Sequence, residues 1–175
     1  MIYLLENNNI DSNELIEVAK NYLETNKCCV DYPNCQHPVH QSDTTLFDLN
    51  EQNIFKLKKQ LFDYFGQQNV MYINSWVYKR DKGQNTGGVW HNHSSNPTYS
   101  PISAQQNYTV KSCVLYLNDT NLGTEFEDEN FFIRIKPKKM IWYIFDGTLH
   151  HKPEYGHLEK DRYVISCDVI LKDYK

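Results

Sequence analysis

The hydrophobic period of the sequence changes at Val70, and this change limits the fold more than any other feature. Before Val70, apolar residues recur at helical spacing in two short segments. After it, they alternate with a period of two as far as residue 171. A helix gathers its apolar residues into a stripe, whereas a strand sends successive side chains to opposite faces. The chain is therefore expected to be mainly β with N-terminal helices.

The first helix is expected from Ser12 to about Thr25. Asp11 can cap it, and Glu14 stands three residues on as the partner of a capping box. Leu15, Ile16, Ala19, Tyr22 and Leu23 form its stripe. The second is expected from Glu51 to Phe65, with Asp48 or Asn50 as cap and Gly66 as its end. Strands are expected over 70–79, 87–93, 109–117, 123–127, 130–136, 139–145, 149–153 and 162–171, separated by Gly, Asn, Asp and Pro turns. Two helices followed by such a run predict helices packed on a β-sandwich or jelly-roll barrel. With 175 residues, one domain is expected: residues 1–69 as helical support and 70–171 as the β core.

Composition excludes several classes of function. The net charge is −4, so the basic footprint of a duplex nucleic-acid binder is absent. No apolar run approaches the roughly 20 residues of a membrane span. The apolar start Ile2-Tyr3-Leu4-Leu5 breaks at Glu6 and has no basic residue before it, unlike a signal peptide. A cytoplasmic location is the expectation. Five Cys residues form no secreted-protein framework.

Histidine is scarce, yet four of the seven lie in two tight pairs within the strand region. The first pair sits in Gly88-Val89-Trp90-His91-Asn92-His93. Residues two apart on a strand share a face, so His91 and His93 project together as a ready metal chelate. The second pair is His150-His151. Neighbours on a strand point oppositely, so only one of them can join the first pair. Arg162 follows His151 by eleven residues and opens the last strand. Only three of the eighteen Lys and Arg residues are Arg, so Arg at this position stands out.

The order and spacing of these residues match non-haem iron oxygenases built on a double-stranded β-helix. Ser75-Trp76-Val77, Lys82-Gly83 and Trp90-His91-Asn92-His93 resemble the motif of a 2-oxoglutarate–Fe(II) oxygenase family found in phages, viruses and bacteria. Tyr116-Leu117-Asn118-Asp119 with Gly123-Thr124-Glu125-Phe126 is similar to the core of prolyl 4-hydroxylase-like enzymes. Phe145 to His151, with Asp161-Arg162-Tyr163-Val164-Ile165-Ser166, resembles the closing segment of that superfamily. The resemblance covers roughly residues 70–171. It implies a cupin-like jelly-roll fold, Fe(II), 2-oxoglutarate, O2 and oxidation of a substrate C–H bond, typically a hydroxylation. It implies His91 and His151 as iron ligands, with His151 preferred over His150 because Phe145 precedes it by six positions. Arg162 is then expected to hold the far carboxylate of 2-oxoglutarate, with Ser166 adding a hydrogen bond from the same strand face.

The departure is at position 93, where most members carry Asp or Glu. Three readings stand open: His93 ligates in a three-His iron site, or water or Asp146 fills that position, or the site holds another metal or none productively. Three neutral ligands leave the centre one charge more positive. A three-His cupin-type dioxygenase that uses no 2-oxo acid, and a non-catalytic jelly-roll metal-binding module, are the alternative functions. The substrate is open between a peptide or protein side chain and a small molecule.

Other signals carry plainer expectations. Trp76 and Trp90 are expected in the core. The run Glu125 to Glu129 is expected as a solvated hairpin rim. Cys28, Cys29, Cys35, His37 and His40 offer soft ligands, but their spacing fits no common zinc knuckle. The segment from Ser94 to Tyr108 is expected to carry substrate selection, as loops beside a rigid site often do.

Overall fold

The first helix begins where Asp11 accepts a hydrogen bond from the Asn13 amide at 2.7 Å. Glu14 does not complete a capping box; it accepts from Asn53 Nδ2 at 2.9 Å and ties the first helix to the second. These are α1 (Ser12–Thr25) and α2 (Gln52–Phe65). Glu51, not Asp48 or Asn50, caps α2 by accepting from the Ile54 amide at 2.9 Å. Asp48 is instead taken into a short 3-10 turn, Leu46–Asp48. Gly66 ends α2 at φ 81, a conformation that favours glycine.

The computed structural model describes residues 1–7, 9–26, 40–93, 108–129 and 131–172. In chain order its strands are β1 (Ile2–Glu6), β2 (His40–Gln41), β3 (Val70–Arg80), β4 (Asn85–Thr86), β5 (Tyr108–Tyr116), β6 (Thr124–Asp128), β7 (Phe131–Ile135), β8 (Ile141–Asp146), β9 (His150–Pro153), β10 (Gly156–His157) and β11 (Arg162–Lys172). The major sheet runs β1-β8-β5-β11-β3-β2 and the minor sheet β7-β6-β9, with β4 and β10 as a separate pair. All the strand pairings are antiparallel. This is a mainly β jelly roll with two helices. Among the described residues the ladders do not close into the expected barrel; the two sheets stack and stay open between their edges.

Strand β11 lies at the centre of the major sheet, between β5 and β3. Its odd residues Tyr163, Ile165, Cys167 and Val169 join Leu15, Ala19, Leu57 and Leu61 of the helices in the main core. Burying each Leu contributes about 1.5–3 kcal/mol relative to exposure. Its even residues Arg162, Val164, Ser166 and Asp168 take the opposite face, inside the jelly roll. There Phe126 of β6 packs on Phe145 of β8, which holds the two sheets together.

The sequence expectation places no strand before Val70, but β1 extends the major sheet by pairing Ile2 with Phe145 through to Glu6 with Ile141. The expected strand over 87–93 is also revised. Gly87 adopts φ 145, and the segment makes one isolated bridge, His91 to His151.

Candidate metal centre

Three imidazoles meet between the sheets. His151 lies on β9, in register with Phe126 of β6. The segment carrying His91 and His93 runs beside β9. His91 and His151 exchange backbone hydrogen bonds at 3.2 and 2.9 Å, and the His93 amide donates to the Gly147 carbonyl at 2.7 Å. The amides of residues 91 and 93 thus point to the same neighbour, so the two side chains share a side although the segment is not a regular strand. The ring centroids lie 5.3 Å apart for His91 and His93, 4.4 Å for His91 and His151, and 4.9 Å for His93 and His151. One nitrogen from each ring lies within 4.8 Å of the other two.

The second nitrogen of each ring is engaged. Nδ1 of His91 donates to the Val89 carbonyl at 2.9 Å, and Nδ1 of His151 to the Leu149 carbonyl at 3.0 Å. Nδ1 of His93 lies 2.6 Å from Oδ1 of Asp168. A carbonyl or carboxylate oxygen accepts, so Nδ1 is the donor in each ring, and Nε2 is the nitrogen left for a metal. This donor set fits a divalent transition metal, because imidazoles held in one tautomer by outer partners are the usual arrangement around such ions. Burial and the neighbouring imidazoles push the His151 pKa down to about 3. His91 is exposed on one side, yet desolvation by the surrounding protein is the largest influence on it and lowers its pKa as well. Neutral imidazole is the form that binds metal.

Arg162 lies on the same face of β11 as Asp168, six residues before it. It is only 2% exposed, and among the described residues its Nε and Nη1 have no hydrogen-bond partner. Its guanidinium packs 5.8 Å from the Tyr78 ring and 5.3 Å from the Tyr116 ring. Asp161 is engaged elsewhere, accepting from the Lys82 amide at 2.8 Å. A buried cation with orphan donors fits an anionic group such as a carboxylate. Arg80 is paired with Arg162 across β3 and β11, fully buried, with Nε donating to Tyr78 Oη at 2.8 Å.

No family model and no curated sequence matches this chain. Solved structures do match. A prolyl hydroxylase from Trichoplax adhaerens, in complex with a hypoxia inducible factor oxygen degradation domain peptide fragment, aligns at TM-score 0.68 and 14% identity, over 96% of this chain and 82% of that one. EvdO2 from Micromonospora carbonacea var. aurantiaca aligns at 0.67 and 7%, over 99% and 87%. SnoK, a non-heme alpha ketoglutarate dependent carbocyclase from nogalamycin biosynthesis, aligns at 0.71 and 7%, over 98% and 79%. The chain has the jelly-roll fold of the 2-oxoglutarate–Fe(II) oxygenases.

Within this oxygenase fold the remaining candidates separate. His150 is exposed, pairs with Glu127 across the minor sheet, and points away from the three-imidazole cluster. It lines a cleft of about 450 Å³ with Glu127, Asp128 and Glu129. Asp146 is held by Lys111 at 2.9 Å and by Thr148, outside the cluster. Ser166 is half-buried on the Arg162 face. Glu125 departs from the expected solvated rim. It is buried between Arg134 at 2.8 Å and Lys152 at 3.4 Å, because its place on β6 turns it toward those cations. Trp76 and Trp90 are half-buried rather than core: Trp76 edges the site 6.0 Å from the His93 ring, and Lys152 stacks 4.5 Å from Trp90.

The Cys28, Cys29, Cys35 and His37 group lies outside the described residues, and His40 faces Asp81 at 3.2 Å. The Ser94 to Asn107 segment also lies outside them. No described helix is long and apolar enough to cross a membrane. Sequence reasoning missed Asp168 and Arg80. The alternation along β11 that selects Arg162 and Ser166 also selects Asp168, so the signal was present.

Proposed function

We propose that this chain is a single-domain 2-oxoglutarate-dependent non-haem Fe(II) dioxygenase with a three-His metal site. His91, His93 and His151 hold the iron through Nε2. Arg162 pairs with the far carboxylate of 2-oxoglutarate, and Ser166 adds a hydrogen bond. Phe145, with its ring 4.8 Å from His151, and Phe126 keep water from the inner side of the site. Bound iron supplies the activation of O2 that couples decarboxylation of 2-oxoglutarate to succinate and CO2 with oxidation of a substrate C–H bond. The substrate is a peptide or protein side chain or a small molecule.

The orphan donors of buried Arg162, on the strand face that carries Asp168 beneath His93, are the observation that carries this reading. They also favour it over a three-His dioxygenase without a 2-oxo acid, which gives that cation no counter-ion. Incubation with Fe(II), 2-oxoglutarate and air is expected to form succinate, and His151→Ala is expected to abolish it. Metal-loaded protein that neither binds nor turns over 2-oxoglutarate would sink the proposal.

A further inference from the structure

Asp168 is a carboxylate that the interior of the jelly roll has no packing reason to hold. It is 1% exposed, and its cross-strand neighbours Ser112 and Asn74 are also buried and polar. A buried carboxylate is costly unless donors reach it. Two groups reach Oδ1: Ser112 Oγ donates at 2.7 Å, and Nδ1 of His93 lies at 2.6 Å. The three imidazoles are not equivalent in this respect. His91 and His151 each donate to a main-chain carbonyl two residues earlier, a neutral acceptor. Only His93 is backed by a side-chain carboxylate. That is the position where the resembling family carries its own carboxylate ligand.

We infer that Asp168 is the positioning and charge-compensating residue of the metal centre, returning through His93 the negative charge that a three-His ligand set lacks. The inference rests on the metal-centre reading of the three imidazoles. Asp168 does not touch the metal. It fixes His93 in the tautomer with Nε2 free, orients the ring, and makes it a stronger donor than a carbonyl-backed imidazole. Ser112 holds the carboxylate in place.

The test is Co(II) binding by the purified full chain, titrated optically, so it is independent of 2-oxoglutarate turnover. Asp168→Asn keeps the shape and an acceptor oxygen but removes the charge. It is expected to weaken Co(II) about 10- to 100-fold. Ser112→Ala, which leaves the carboxylate, is expected to change affinity by roughly threefold or less. The readout that a merely structural role would not move is the coupling to His93. In a His93→Asp background Asp168 has no imidazole to act through. Asp168→Asn is then expected to change Co(II) affinity by only roughly threefold or less. Melting curves of the metal-free variants check folding, and Asp168→Ser, smaller and also uncharged, carries the same comparison if the amide does not fold.

Co(II) affinity unchanged by Asp168→Asn, or weakened alike in both backgrounds, overturns the inference while leaving the metal centre standing. Wild-type protein that binds no Co(II) overturns the metal-centre reading and this inference with it.

Discussion

Replacing Arg162 with Met separates a cation that holds the fold together from one kept ready for an anion. Nε and Nη1 of Arg162 are buried without an acceptor among the described residues. An unpaired buried donor costs about 1–3 kcal/mol, so removing two relieves about 2–6 kcal/mol. Against this stand the ring contacts with Tyr78 and Tyr116. They are worth about 0.5–2 kcal/mol each, or about 1–4 kcal/mol together. The central values leave the ligand-free variant more stable by about 1–2 kcal/mol. For a chain of this size, 1 kcal/mol moves Tm by about 2–4 °C, so Arg162→Met is expected to melt about 2–8 °C above wild type.

With 2-oxoglutarate the sign reverses. Two charge-assisted hydrogen bonds are worth about 1.5–3 kcal/mol each, so the variant should bind 2-oxoglutarate roughly 10²- to 10⁴-fold more weakly. The assays are thermal melts of metal-free protein and calorimetric titration of 2-oxoglutarate into Mn(II)-loaded protein under nitrogen. A variant that melts well below wild type and keeps its 2-oxoglutarate affinity would refute the reasoning, because Arg162 would then be structural.

Two further predictions follow from burial and close contact. Metal-free protein should lose stability as pH falls below about 6.5, because the unfolded chain protonates this imidazole near its ordinary value while folded His151 stays neutral to about 3. The loss from this one group between pH 7 and pH 5 is about 2 kcal/mol, read by urea melts, and a flat profile over that range would contradict the burial of His151. Gly123→Ala should destabilise the protein by at least about 1–3 kcal/mol, because its Cβ would meet the Ile135 carbonyl oxygen at 1.9 Å. Unchanged urea melts for Gly123→Ala would mean that the chain entering β6 and the end of β7 do not approach as closely as described.

Much of this architecture was legible from local pattern. The helices follow from caps and stripes, and the long strands β3, β5 and β11 from alternation, since each packs apolar residues on the helix side. What escaped depends on partners distant in sequence. Ile2-Tyr3-Leu4-Leu5 does not alternate and becomes strand β1 only by pairing with β8. The 87–93 segment is expected as a strand, yet Gly87 adopts φ 145, and among the described residues the segment makes one isolated bridge, His91 to His151. The imidazole cluster was readable because the i and i+2 rule needs no long-range contact, and His151 was chosen over His150 by resemblance. Alternation along β11 puts Asp168 on the face of Arg162 and Ser166, but nothing in the local sequence links it to His93. Strand β11 delivers the carboxylate from 75 residues away. Glu125 escaped for the same reason, since the cations that bury it lie on β7 and β9, whereas Asp128 and Glu129 are exposed as expected.

In the proposed enzyme one site holds Fe(II) through His91, His93 and His151 and 2-oxoglutarate through Arg162. The most direct test of this assignment is an anaerobic titration of the wild-type protein with Fe(II), then with 2-oxoglutarate, followed by visible absorption. A metal-to-ligand charge-transfer band is expected only when both are present, and it is expected to be lost in His151→Ala and in Arg162→Met at the same 2-oxoglutarate concentration. Fe(II) binding without any such band, or a band that survives both substitutions, would contradict the assignment.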